Sequence, residues 1–280
     1  MKKIILMAIA MFSLLSYSCK EEITPAPVDE TAGLIKVQEI SNDTSIVELF
    51  TRSGAFMLGY NDVYIRIKNN FTHEYATDAS INWSPVMHMM SMTHSCPKSA
   101  IVKVPGKESL YKGYLVFQMP ENASEHWTLG LSGVAGGTTF SMEDTIAVPN
   151  STRKRVTVIT GSDSKKYILA LVAPETPSVA LNDMTLGLFT MQSMMSFPVV
   201  KDYAVDIDPR MPSMGNHSSP NNENLTYGAG DSLYHGKLSL TMTGYWKINM
   251  MLKNASAEVL KGEVVTTENE SSSLYLELEF

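Results

Sequence analysis

The chain repeats itself, and that constrains its fold more than any other feature. Ser109-Leu-Tyr-Lys-Gly-Tyr-Leu-Val-Phe-Gln-Met119 aligns with Ser232-Leu-Tyr-His-Gly-Lys-Leu-Ser-Leu-Thr-Met242, sharing Ser, Leu, Tyr, Gly, Leu and Met at the same positions. The same offset sets His94-Ser-Cys-Pro97 on His217-Ser-Ser-Pro220 without a gap. Ser84-Pro-Val-Met87 corresponds to Asp208-Pro-Arg-Met211, and Asn61-Asp62 to Asn182-Asp183. Trp127 meets Trp246 after a short deletion. Landmarks kept in one order mark a duplicated domain, so the fold must occur twice.

Each copy reads as β. Val63-Tyr-Ile-Arg-Ile67 and residues 114–119 alternate in the first copy, as do 185–189 and 238–242 in the second. Val156-Thr-Val-Ile-Thr160 and residues 167–172 are strands around a Gly-Ser-Asp-Ser turn, and Leu274-Tyr-Leu-Glu-Leu-Glu-Phe280 alternates cleanly at the end. Short strands without a long amphipathic helix predict an all-β fold: two tandem immunoglobulin-like antiparallel β-sandwich domains after a lipoprotein signal peptide. The expected boundaries are 34–150 for the first repeat and 151–280 for the second.

The N-terminus has Lys2 and Lys3, then an apolar run over residues 4–15 broken only by Ser13, then Ser16-Tyr-Ser-Cys19. That run is too short for a stable transmembrane anchor, and residues 1–18 are read as a secretory signal. The cysteine after small residues resembles the bacterial lipobox, which implies lipid on Cys19 and a chain tethered to a membrane. Lys20, Glu21 and Glu22 resemble the surface-export leader of Bacteroidetes lipoproteins, implying an outer-membrane lipoprotein on its periplasmic or cell-surface side. Residues 19–33, with Pro25 and Pro27, are expected to form the tether.

The formal net charge is −7 and the basic residues cluster only at Arg153-Lys-Arg155, so nucleic acid is not an expected partner. Of two cysteines, lipidation leaves only Cys96, which excludes an internal disulfide. Cys96 with His94 lacks an orienting third group, and the second copy has serine where the first has Cys96, so no enzyme is expected.

The chain holds 19 methionines. Met87-His-Met-Met-Ser-Met-Thr-His-Ser-Cys96 in the first copy corresponds to Met211-Pro-Ser-Met-Gly-Asn-His217 in the second. Thioether, thiolate and imidazole suit Cu(I), whereas a hard cation would need oxygen ligands that these segments lack. Thioethers need no deprotonation and form no disulfides, which fits oxidising surroundings. The candidate ligands are Met87, Met89, Met90, Met92, His94 and Cys96 in the first repeat, and Met211, Met214 and His217 in the second. Methionine is equally a pliable core filler, the reading given to Met119, Met242, Met250 and Met251. For the two clusters both readings stand open. Met191, Met194 and Met195 form a further group with no counterpart in the first copy.

Asp208-Pro-Arg-Met-Pro-Ser-Met-Gly-Asn-His217, Gly228-Ala-Gly230, Tyr234-His-Gly236 and Met242-Thr-Gly-Tyr-Trp246 together resemble the YtkA-like/FixH-like domain family. The resemblance covers roughly residues 183–253, with a looser copy in the first half that lacks the proline after Met87. It implies a small β-sandwich and an association with copper handling or oxidase maturation, and it carries Met211, Met214 and His217 as candidate ligands. The expectation is a membrane-anchored extracytoplasmic protein that binds or carries Cu(I), with another envelope or copper-handling protein as partner. The alternative is a structural or interaction sandwich without a metal.

Overall fold

Strict alternation decides which side of each strand faces inward, and the third strand displays it. In a computed structural model, which describes residues 29–280, Gly59–Asn69 alternates buried and half-buried positions along almost its whole length. Val63, Ile65 and Ile67 face inward, and Tyr64 and Arg66 face outward. The expected signal peptide and Cys19 lie outside the described residues.

The first unit has nine strands. They are β1 (Ile35–Ser41), β2 (Ser45–Thr51), β3 (Gly59–Asn69), β4 (Ala79–His88), β5 (Thr93–His94), β6 (Val102–Lys103), β7 (Tyr111–Phe117), β8 (His126–Ala135) and β9 (Thr138–Ile146). One sheet runs β1-β2-β3-β7-β6 and the other β5-β4-β8-β9, antiparallel throughout. Their inner faces enclose Leu49, Ile65, Trp83, Leu115, Phe117 and Trp127.

The second unit follows the same path. Its strands are β10 (Val156–Thr160), β11 (Lys166–Ala173), β12 (Leu181–Thr190), β13 (Ala204–Met211), β14 (His217–Ser218), β15 (Glu223–Gly228), β16 (Leu233–Ser239), β17 (Tyr245–Lys253), β18 (Val259–Lys261) and β19 (Tyr275–Glu279). The order β10-β11-β12-β16-β15 repeats the first sheet of unit one, and β14-β13-β17-β19 repeats the second. The duplicated Tyr-x-Gly falls at the same place in both. Gly113 lies opposite Val63 on β3, and Gly236 opposite Met184 on β12. A side chain is excluded at both: a Cβ would come within 2.7 Å of the Trp83 ring at Gly113, and within 2.5 Å of the Glu223 carbonyl at Gly236.

The units differ at one seam. In unit two, Ala204 and Val205 of β13 pair with Thr226 and Leu225 of β15, which joins the two sheets into one that wraps round its core. In unit one, β6 is only two residues long, and residues 97–99 instead run along β7 through Pro97 and Ser99. The chain is therefore all-β, antiparallel and immunoglobulin-like, with no α-helix among the described residues.

A third apolar cluster joins the units. Val116 of unit one meets Val156, Ile168, Ala170 and Phe189 of unit two, flanked by Leu58, Tyr60 and Tyr114. Before β1, Glu30 accepts from the Ser109 N–H at 2.8 Å and hydroxyl at 2.6 Å, so the end of the expected tether is fastened to the body.

Candidate metal centre

Antiparallel pairing brings each repeated Met and His together. Met87 on β4 is directly opposite His94 on β5, and Met211 on β13 is directly opposite His217 on β14. Directly opposed residues share a face of the sheet, and Met87 and His94 are both buried, whereas in unit two Met211 is buried and His217 exposed. The segment between the partners is a tight connection. In unit one it carries Met89, half-buried against the core, with Met90 and Met92 exposed. In unit two it is a 3-10 turn, Pro212–Met214, closed by Gly215 in the left-handed region with Met214 exposed.

Burial then separates the nine candidates. Met87, Cys96 and Met211 are core side chains, 0%, 1% and 3% exposed. Met87 fills the inward row Ile81-Trp83-Met87 of β4, and Met211 reaches toward Gly244, where a Cβ would lie 3.2 Å from its methyl group. Burial pushes the Cys96 thiol up to about 12, so at neutral pH it is a thiol and not a thiolate ligand. The accessible candidates are Met90, Met92, Met214 and His217, with His94 and Met89 behind them.

His94 has a partner that the sequence did not reveal. Its Nε2 lies 3.1 Å from the Met119 sulfur, and its ring stands edge-on to Trp127 with centroids 5.4 Å apart. Trp127 in turn donates its indole N–H to the Met119 carbonyl at 3.0 Å, which fixes the residue carrying the sulfur. Met119 lies just past the end of β7, so it is a residue of the strand's exit and not of the strand. Unit two repeats the anchor, with Trp246 donating to the Met242 carbonyl at 3.0 Å.

The tautomer of His94 follows from its other nitrogen. Nδ1 is 2.7 Å from the Ser95 carbonyl oxygen, which can only accept, so Nδ1 carries the proton. Nε2 of the neutral ring then presents a lone pair to a thioether that also only accepts. Two acceptors 3.1 Å apart call for a positive centre, a proton or a soft cation, between or beside them. Two donors on one tetrahedral ion stand roughly 3.5 Å apart, so a few tenths of an ångström of opening would admit one. Gln118, next to Met119, leaves its buried Oε1 without a partner. The donor set therefore fits a soft cation at His94 and Met119. Among the described residues no three His, Cys, Asp or Glu side chains form a metal-holding group.

Two further features escaped the sequence reading. His88 and His126 face each other across β4 and β8 as a stacked pair, centroids 5.0 Å apart, with His88 Nε2 3.0 Å from the Thr128 hydroxyl. The Ser95 N–H donates to the Met194 carbonyl of unit two at 2.8 Å, so the backbone of the third methionine group docks beside His94. A histidine opposite His88 in the β4–β8 register was the available signal for the first. The second is a contact between units, on which the repeat is silent.

No family model matches the chain, and no curated protein matches it. Among solved structures it is similar to FdeC, an Escherichia coli adhesin, at 13% identity and a TM-score of 0.24, over 80% of this chain. The chain spans 64% of the length of that adhesin chain.

Proposed function

We infer that the protein is an extracytoplasmic lipoprotein, anchored through lipid on Cys19, that holds Cu(I) through thioether and imidazole donors. The observation that carries this reading is the His94 Nε2–Met119 Sδ approach at 3.1 Å with Nδ1 engaged by a carbonyl. A hydrogen bond on one ring nitrogen is the device that orients a metal-ligating histidine through the other. Met89, Met90 and Met92, on the connection leading into β5, supply further sulfur at the same end of unit one. Unit two offers Met214 on the corresponding connection and His217 at the start of β14, both exposed, with the buried Met211 behind them. A soft cation is favoured over Zn²⁺ because these donors are thioethers.

The test is competition between the purified chain and a Cu(I) chelator. Wild type should hold Cu(I) at least tenfold more tightly than Met119→Leu, which preserves volume and removes the donor. Equal retention by the two would overturn the reading. A second reading, an interaction module without metal, is favoured by the exposure of Met90, Met92, Met194 and Met195, pliable apolar side chains suited to adaptable contacts. It predicts no Cu(I) retention by either protein.

A further inference from the structure

Between the units lies a cleft of about 420 Å³, walled by Met57, Leu58 and Tyr60 from unit one and by Arg155, Leu171 and Glu175 from unit two. Its volume falls within the range of small-molecule sites, roughly 300–1,000 Å³. The charges in it are unequally matched. Arg52 directs Nη1 at both Glu175 oxygens, at 3.0 and 3.2 Å. Asp62 is held by Lys112 at 3.0 Å and by the Tyr60 hydroxyl at 3.2 Å. Arg155 is less fully engaged: the Glu175 carboxylate acts on its charge from across the cleft, but is itself held by Arg52. Among the described residues no carboxylate forms an ion pair with it, and its single side-chain hydrogen bond is a long one, 3.4 Å to the Pro174 carbonyl.

The position of Arg155 is nonetheless fixed. Its neighbour Val156 belongs to the apolar cluster between the units, and its carbonyl accepts from the Leu171 N–H at 2.9 Å. Gly59 of β3 packs against it, and a Cβ there would sit in ordinary van der Waals contact with that of Arg155, at 3.7 Å. The Arg155 side chain is half-buried and lines the cleft, and a guanidinium carries five N–H donors in a rigid fork. The group that matches the fork is a carboxylate, received through two parallel hydrogen bonds.

We propose that this cleft binds a carboxylate carried on an apolar body, with Arg155 receiving the carboxylate and Leu58, Tyr60 and Leu171 packing the body. The ligand can be a free small acid or the C-terminus of a peptide, since the recognised chemistry is the same. The site is distinct from the Met/His region and does not depend on copper.

The experiment is calorimetric titration of the purified full chain with phenylacetate, with phenylacetamide, and with a short peptide ending in leucine as its free acid and as its amide. At least one acid should bind, its amide should bind at least tenfold more weakly, and Arg155→Gln should lose at least tenfold in affinity for that acid. Arg155→Lys, which keeps the charge without the fork, should fall between. Which acid binds assigns the source of the carboxylate. Unchanged circular dichroism and unchanged Cu(I) retention in Arg155→Gln show that the fold and the other site are intact. Absence of binding by both acids, equal binding of acid and amide, or full affinity in Arg155→Gln would overturn the proposal.

Discussion

Asn61 and Asn182, on the third strand of each unit, make the same contacts with their own chains. Each Oδ1 accepts the backbone N–H four residues earlier, from Met57 at 2.8 Å and from Ser178 at 3.0 Å. Each Nδ2 donates to the carbonyl of that same residue, at 2.7 and 2.9 Å. It donates also to the carbonyl two residues earlier, Gly59 at 2.9 Å and Ala180 at 2.8 Å. The amide thus satisfies backbone groups of the bend by which the chain enters the strand.

Replacing either asparagine with Ala should cost roughly 1–3 kcal/mol, the penalty for leaving buried backbone groups unpaired. Asp should do no better than Ala, because its carboxylate would face two carbonyls that need donors. Chemical denaturation of the four single variants measures this. A loss at Asn61 without a comparable loss at Asn182 would contradict the equivalence of the two sites.

Cys96 should be inert. Its side chain is 1% exposed and its thiol is pushed up to about 12, so at pH 7 the thiolate fraction is roughly one in 10⁵. Native protein lacking Cys19 should leave Ellman's reagent unreacted and release one thiol per chain on denaturation. Cys96→Ala should keep Cu(I) retention within twofold of wild type. Rapid native labelling would disprove the core assignment.

Glu48 gives unit one a pH dependence. Burial by itself would raise its pKa, but hydrogen bonds from Lys36 at 2.5 Å, Tyr75 at 3.0 Å and Lys68 at 3.2 Å outweigh that and hold the carboxyl below its ordinary value of 4.5. As pH falls, the unfolded chain takes up this proton first. The stabilisation is therefore full above about 4.5 and is lost as pH falls through the lower, folded value. Glu48→Gln should cost about 1.5–3 kcal/mol at pH 7, the range for hydrogen bonds to charged groups. The gap between wild type and variant should narrow below pH 4; a gap that holds or widens there would refute the assignment.

The fold class was legible because period-two alternation survives in the sequence wherever one face of a strand is buried, as at Val63, Ile65 and Ile67. Met87 was less so: it is a candidate ligand in the sequence, with core packing left open, and only its place in the row of Ile81 and Trp83 on β4 shows that it faces inward. The approach of Met119 to His94 was not, because it crosses from the exit of one sheet to an edge strand of the other, and neither strand's period encodes that distance. Met119 and Met242 were read as strand residues, yet β7 ends at Phe117 and β16 at Ser239. The cleft at Arg155 lay further from reach, since its walls come from both repeats and a duplication specifies only what lies within one.

Methionine as filler and methionine as ligand predict opposite outcomes at neighbouring positions. Met87, fully buried, should tolerate Leu at under about 1.5 kcal/mol, because volume and apolarity are kept. The same position changed to Ala should cost about 2–5 kcal/mol by opening a cavity beside Trp127, which it faces across β4 and β8. Met90 and Met92 are 87% and 46% exposed, so the double change Met90→Leu/Met92→Leu should stay within about 0.5 kcal/mol per site. Cu(I) retention should move the other way, unchanged in Met87→Leu and weakened severalfold in the double variant. Thioethers do not titrate, so the sulfur-borne part of that retention should persist at pH 5. Denaturation midpoints and chelator competition on the same three proteins read both quantities together. If the exposed pair alters neither stability nor copper retention, those two sulfurs are surface and the metal reading contracts to His94 and Met119 alone.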